Sequence, residues 1–238
     1  MLEADVGIVF HHINYAESSV IVKLLSKNHG LISLMIKGAK KKKSSTIAKL
    51  QPLSLVAVEY YYSEQKDLHT VRNLDLSTPF KTLHSNPMKA TVLLFLNEIL
   101  FKSIQQQEKN DPVFDFIQSF LIRIDQTAFN PNCHLWFVCK LTTFLGIAPD
   151  ISSFKKGTFL NLIEGEFVAN NHRKGGCSEI ASETIFRLIG MEFDELTGLK
   201  LTREIRRETL QTLIDYYQIQ LEGIKNINSH LVLQELLE

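Results

Sequence analysis

LISLMIKGAKKKKSSTIAKL, residues Leu31–Leu50, is the stretch from which the fold of this 238-residue chain is read. It opens as a strand, with Leu31, Ser33 and Met35 alternating with Ile32, Leu34 and Ile36. Period-two patterning of apolar residues is the signature of a half-buried strand. The strand then runs into Lys37-Gly38-Ala39 and four consecutive lysines, Lys40, Lys41, Lys42 and Lys43. No acidic residue lies between Gly30 and Glu59. Solvated surfaces usually mix the two signs of charge. A like-charged block repels itself and gains from an anionic partner, of which a phosphate backbone is the commonest. The bland alternative is a surface loop that keeps the chain soluble.

Working outward, the same alternation recurs on both sides. Val6, Ile8 and Phe10 form one run, Val20, Val22 and Leu24 a second, Leu53–Tyr62 a fourth and Leu68–Leu76 a fifth. The breaks between them hold turn residues: Asn14 to Ser18, Asn28-His29-Gly30, and Ser63 to Asp67. Five short strands with no room for crossover helices imply a small antiparallel barrel. Its longest connection, Lys37 to Pro52, carries the lysines between strands three and four.

Beyond Ser77 the period changes. Met88–Gln105 is apolar on most sides and reads as a buried helix. Asp111-Pro112 opens another, with Asp as N-cap and Pro at the first helical position. Asn130-Pro131-Asn132 opens a third, stopped by Gly146. Residues 150–177 lose the pattern, apart from two brief β-like pieces, Thr158–Ile163 and Glu166–Ala169. Ser178 caps a helix to Ile189, Leu201–Leu221 is long and amphipathic, and His230–Leu237 closes the chain. The expected class is therefore α+β: a five-stranded barrel over 1–80, then a helical domain over 81–238 with an irregular insertion at about 150–177.

Composition limits the function. Lys plus Arg equals Asp plus Glu, so any anion-binding bias is local. Residues 1–80 hold ten Lys/Arg against seven Asp/Glu. Three cysteines make no even disulfide framework, and MLEADVGIVF lacks the basic region and apolar run of a secretory signal. A reducing cytoplasm is the expected location, and the longest apolar run, Val92–Leu96, is too short to span a bilayer.

No catalytic constellation is expected. The chain lacks a glycine-rich phosphate loop, an HExxH pair and a nucleophile elbow. His11 and His12, adjacent on a strand, face opposite sides and do not share a metal. Cys133 and Cys139 stand roughly 240° apart around a helix, and Cys177 has no nearby partner, so neither a metal nor another cofactor is expected.

Two further groups suit nucleic acid. Tyr60 and Tyr62 continue the face of Val56 and Val58, and an exposed aromatic there would stack on bases at about 1–3 kcal/mol each. Packing at an edge or domain interface is the bland alternative. Arg203, Arg206 and Arg207 fall in the first turns of a helix, where positive charge opposes the helix dipole. Either Glu204 and Glu208 offset them, or a phosphate meets them.

Several pieces taken in order carry a resemblance. They are Tyr15-Ala16-Glu17-Ser18-Ser19, Leu24-Leu25-Ser26, Gly30-Leu31, Lys37-Gly38-Ala39-Lys40, Leu145-Gly146-Ile147-Ala148-Pro149, Arg203-x-x-Arg206, Tyr216-Tyr217, Leu221 and Ser229-His230. Together they resemble the RecO family of bacterial recombination and repair proteins over nearly the whole chain. The resemblance implies an oligonucleotide-binding (OB) barrel followed by a helical domain. It implies binding of single- and double-stranded DNA, annealing of complementary strands, and work with RecR to help RecA displace the single-strand-binding protein SSB. It implies that the helical domain receives the acidic SSB tail. Carried over, the DNA face comprises Lys37, Lys40, Lys41, Lys42 and Lys43, joined by Arg203, Arg206 and Arg207. Many members carry two CxxC pairs in the insertion, whereas this chain keeps only Cys177 there. The insertion is then expected to pack on Phe154, Phe159, Leu160, Leu162 and Phe167 without zinc. An RNA-binding barrel and a protein-interaction scaffold remain the competing readings.

Overall fold

A computed structural model describes residues 1–41, 44–104, 109–169 and 177–237. The chain divides into two compact units, Met1–Thr127 and Ala128–Glu238.

In the first unit, β1 (Leu2–Tyr15), β2 (Ser19–Ser26), β3 (Gly30–Ile36), β4 (Leu55–Tyr61) and β5 (Leu68–Thr78) form a closed barrel in the order β1-β2-β3-β5-β4. The topology is that of an OB fold. All neighbours pair antiparallel except β3 and β5. β1 closes the barrel by serving two partners: Leu2–Ile8 pair with β4, and Gly7–Tyr15 with β2. The double duty requires a bend, and a register shift between Val9 and His11 supplies it. Gly7 permits it too, because a Cβ there would stand 2.5 Å from Leu24 Cδ1. Val9, Val20, Val22, Leu24, Ile32, Leu34, Val56, Val58 and Tyr60 fill the interior. Each such apolar side chain contributes about 1.5–3 kcal/mol relative to exposure. A four-residue helix unforeseen in the sequence, α1 (Thr46–Lys49), interrupts the connection between β3 and β4.

Two helices complete this unit. α2 (Pro87–Ser103) is capped by Asn86, whose side chain accepts from the backbone N–H of Met88 and Lys89. α3 (Asp111–Gln126) is capped by Asn110 rather than Asp111, the Asn110 oxygen accepting from Val113 N–H at 3.1 Å. Both residue types cap well, and the one that precedes the helix proper takes the role. Phe101 of α2 meets Phe10 and His11 edge-on, and Lys27 of β2–β3 pairs with Asp115 of α3 at 3.0 Å.

The second unit holds α4 (Cys133–Phe144), α5 (Glu179–Gly190), α6 (Arg203–Gln220) and α7 (Ser229–Leu237). The hydroxyls of Tyr216 and Tyr217 on α6 donate to the carbonyls of Ile147 and Val138, at 2.6 and 2.8 Å. The insertion forms a two-stranded sheet, β6 (Phe159–Asn161) with β7 (Glu166–Val168), shorter than the two expected pieces. It is anchored by aromatic packing. Phe154 stacks on Phe186 of α5 at 3.8 Å and meets Phe167 edge-on at 5.2 Å. Leu160, Leu162 and Phe167 are buried as expected, and Phe159 is half-buried. A 3-10 turn over Phe193–Gly198 was not anticipated.

Candidate nucleic-acid interface

The lysine segment is built by β3 and held by a neighbouring turn. Strand alternation carries past Ile36, which is buried, to Lys37, which is exposed. Gly38 reverses the chain at φ +74°, a left-handed conformation that suits glycine. Lys41 N–H then donates to the Gly38 carbonyl at 3.2 Å. Lys40 donates twice to the β1–β2 turn, from its backbone N–H to Ser18 O at 3.1 Å and from Nζ to Ala16 O at 3.2 Å. Lys37, Lys40 and Lys41 are all exposed, and among the described residues none of them pairs with a carboxylate. Lys42 and Lys43 lie outside the described residues. Lys49, at the end of α1, is committed to Asp75 at 2.9 Å. The three described lysines thus carry charge that no described carboxylate neutralises, and Lys40 ties their segment by backbone and side chain to the rim of the barrel.

The tyrosines divide otherwise than expected. Tyr60 is fully buried, with its hydroxyl donating to Asp5 at 3.3 Å. Asp5 also accepts from the Ser26 hydroxyl and from Val6 N–H. Burial, then the charge of Asp5, pushes the Tyr60 phenol above its usual range. Tyr60 therefore cannot reach a base, and its expected stacking role is corrected to a core one. The face shared with Val56 and Val58 is the interior, because those valines are themselves buried. Tyr62 is half-buried and already stacked on the His29 imidazole at 3.9 Å, with His69 tilted against it at 4.9 Å. His29 Nε2 in turn meets Glu3 at 2.7 Å. Burial and the nearby His29 push His69 below the ordinary histidine range. Of the three consecutive tyrosines, the one that faces outward is Tyr61, 54% exposed. Its signal was in the sequence, as the position out of phase with the apolar valines.

Arg203, Arg206 and Arg207 sit at the start of α6, where the Thr202 hydroxyl accepts from Ile205 N–H at 3.3 Å. Arg206 is half-buried and donates from Nη1 to Leu201 O at 2.7 Å, while Arg203 and Arg207 are exposed. All three line one hollow of the second unit with His134, Leu210 and Leu233. Burial, then the Arg206 charge, pushes the His134 imidazole down to about 3, so it is neutral. Among the described residues no carboxylate approaches the three guanidinium groups within 4.0 Å. The expected pairing with Glu204 and Glu208 therefore forms no close ion pair; the Glu204 carboxyl instead turns back on the helix start, where its own backbone N–H and Thr202, then the charges of Arg203 and Arg206, hold it below its usual range.

His11 and His12 face opposite sides, His11 against Phe101 and His12 with Nδ1 3.3 Å from Leu50 O. All three cysteines are buried, and burial raises the Cys139 and Cys177 thiols above their ordinary range. Among the described residues no group of three His, Cys, Asp or Glu could hold a metal ion. What the surface can do is bind anions along a cationic rim.

Known proteins resemble the chain over nearly its whole length. Residues 1–80 match the family described as recombination protein O N terminal, and residues 84–228 match recombination protein O C terminal. The chain is 32% identical to the DNA repair protein RecO of Flavobacterium johnsoniae, over 97% of each chain. It is 29% identical to the protein of that name from Phocaeicola vulgatus, over 99% of each.

Proposed function

We propose, from the premise that this chain belongs to the recombination protein O family of DNA repair proteins, that it is a non-enzymatic DNA-binding recombination mediator. In this reading it binds single- and double-stranded DNA and anneals complementary strands. With RecR, and by engaging the acidic tail of SSB, it helps RecA onto SSB-coated strands, in the cytoplasm beside the nucleoid. No described helix is long and apolar enough to cross a membrane. The observation that carries the reading is the group of exposed lysines without a carboxylate partner among the described residues, Lys37, Lys40 and Lys41, in a segment that Lys40 fixes to the rim of an OB barrel. Binding then proceeds by counter-ion release, which needs fixed cations and no catalytic group.

The test is a titration of single-stranded oligonucleotide at several salt concentrations, followed by annealing of SSB-coated strands. If three to five lysines touch phosphates, log affinity falls against log salt with a slope of about −2 to −3.5. A flat salt response, or no acceleration of annealing, overturns the reading.

A further inference from the structure

The barrel closes between β3 and β5 through three residue pairs, Ser33 with Leu68, Leu34 with His69, and Met35 with Thr70. The other four seams hold seven or eight pairs each. This shortest seam is also parallel, the slightly weaker pairing per residue. At its centre His69 is only 4% exposed, and its Nδ1 is buried without a hydrogen-bond partner among the described residues. Rings pack on it instead. Tyr62 and Tyr60 lie tilted against the imidazole at 4.9 and 5.8 Å, and Tyr62 is stacked on His29 as well.

Charges reach His69 from several elements. Glu3 of β1 and Asp67 of the β4–β5 loop favour its charged form, while His29 of the β2–β3 turn and Lys66 of the loop oppose it. Neither nearby hydrogen bond is available to it. Glu3 is engaged by His29 at 2.7 Å, and the Tyr60 hydroxyl is engaged with Asp5. From β3 the seam presents Ser33, Leu34 and Met35, none of them titratable. An imidazolium carries two N–H donors, and the closed seam leaves the one at Nδ1 unanswered. Water in an opened seam answers both.

We propose that the β3–β5 seam is an acid-operated latch: a proton taken from solvent by His69 Nδ1 opens the barrel between Ser33–Met35 and Leu68–Thr70. Opening frees the end of β3, which leads directly into Lys37. The device stands on the barrel alone and not on the DNA-binding reading. Burial is the main reason the closed form resists the proton, and it holds the imidazole below the ordinary range. The closed seam therefore keeps its full stability above the ordinary histidine value of about 6.5 and loses it as pH falls below that value.

The experiment follows amide exchange of the full chain by NMR at about pH 7.5 and about pH 5.5, expressed as protection factors so that the intrinsic pH dependence of exchange is removed. Protection across Ser33–Met35 and Leu68–Thr70 is expected to fall by up to about tenfold, the gain of an opening that takes up one proton over this range. The β1–β2 pairs are expected to keep theirs. His69→Phe retains a ring against Tyr60 and Tyr62 and takes no proton, so its seam is expected to be equally protected at both values. Constant protection in the wild type overturns the proposal, as does an equal fall across β1 and β2. A fall that persists in His69→Phe also overturns it and assigns the acid response to His29 against Glu3. Where His69→Phe does not fold, the wild-type imidazole decides by its ¹⁵N shifts: His69 titrating in the ordinary range while the seam stays protected overturns the latch, and His69 staying neutral wherever the seam is closed supports it.

Discussion

The Tyr60 hydroxyl donates to a carboxylate oxygen of Asp5 at 3.3 Å inside the barrel, joining β4 to the start of β1 across the seam that closes it. Asp5 is nearly buried, and its other partners are the Ser26 hydroxyl and Val6 N–H. Removing one donor from a buried carboxylate costs about 1–3 kcal/mol. Tyr60→Phe is therefore expected to lower unfolding free energy by about 1–2 kcal/mol in urea titrations while leaving DNA affinity unchanged. A selective loss of affinity with normal stability would return Tyr60 to the interface.

Tyr60 also marks where sequence reading stops. Alternation fixes which residues share a face, and it grouped Tyr60 and Tyr62 with Val56 and Val58 correctly. It does not by itself state which face is wet. The five strands were legible because each alternates over much of its length, as in Val20, Val22 and Leu24, although β1 and the β4–β5 pair also carry register shifts. The closing pairs were not: β1 with β4, and β3 parallel to β5, join residues some 30 to 60 apart in the chain, and no local pattern encodes them. Single-turn elements such as α1 and the Phe193–Gly198 turn are shorter than any periodicity can register. At the site, the lysine run was plain from charge alone, whereas His29, Tyr62 and His69 meet only through the fold.

The lysines should separate binding from stability. Lys37 and Lys41 are exposed and make no ion pair among the described residues, so each change to alanine is expected to leave the melting temperature unchanged. Each is expected to reduce the single-strand salt slope by about 0.7. Lys40→Ala should do the same and also loosen the contact with the Ala16 carbonyl. Fluorescence anisotropy across a salt series, with a melting curve for each variant, measures both. Unaltered slopes would remove this loop from the interface.

Asp125 gives the first unit an acid-sensitive joint. Its carboxylate accepts from the backbone N–H groups of Lys81, Thr82 and Leu83 at 3.1, 2.7 and 2.8 Å. Burial opposes ionisation, yet these hydrogen bonds prevail and hold the carboxyl below its usual range. A depressed folded-state value means the stabilisation is fully present above the unfolded value, about 3.9, and is lost as pH falls through the lower folded one. Asp125→Asn should therefore destabilise the protein at neutral pH and flatten its stability profile below about pH 4. Parallel denaturant titrations from neutral to acid pH test it; identical slopes for the two proteins would refute it.

The insertion offers the last prediction, because a cluster of rings packs its described residues. Phe154 lies flat on Phe186 at 3.8 Å, and Phe167 meets both edge-on. Phe167 is buried against this pair, and Gln220 of α6 donates to the Leu162 and Ile163 carbonyls at 2.7 and 2.8 Å. Truncating one ring removes burial and two aromatic contacts together. Phe186→Ala is expected to cost about 2–3 kcal/mol, with the loss concentrated in residues Phe154–Val168 by amide hydrogen exchange. Cys177 packs beside the Ser182 hydroxyl at 3.2 Å and is buried, so Cys177→Ala should cost far less, about 1 kcal/mol. A strong chelator should leave both the exchange pattern and the melting temperature of the wild type unchanged. A chelator-induced loss of protection in this segment would show that metal, not the aromatic cluster, orders it.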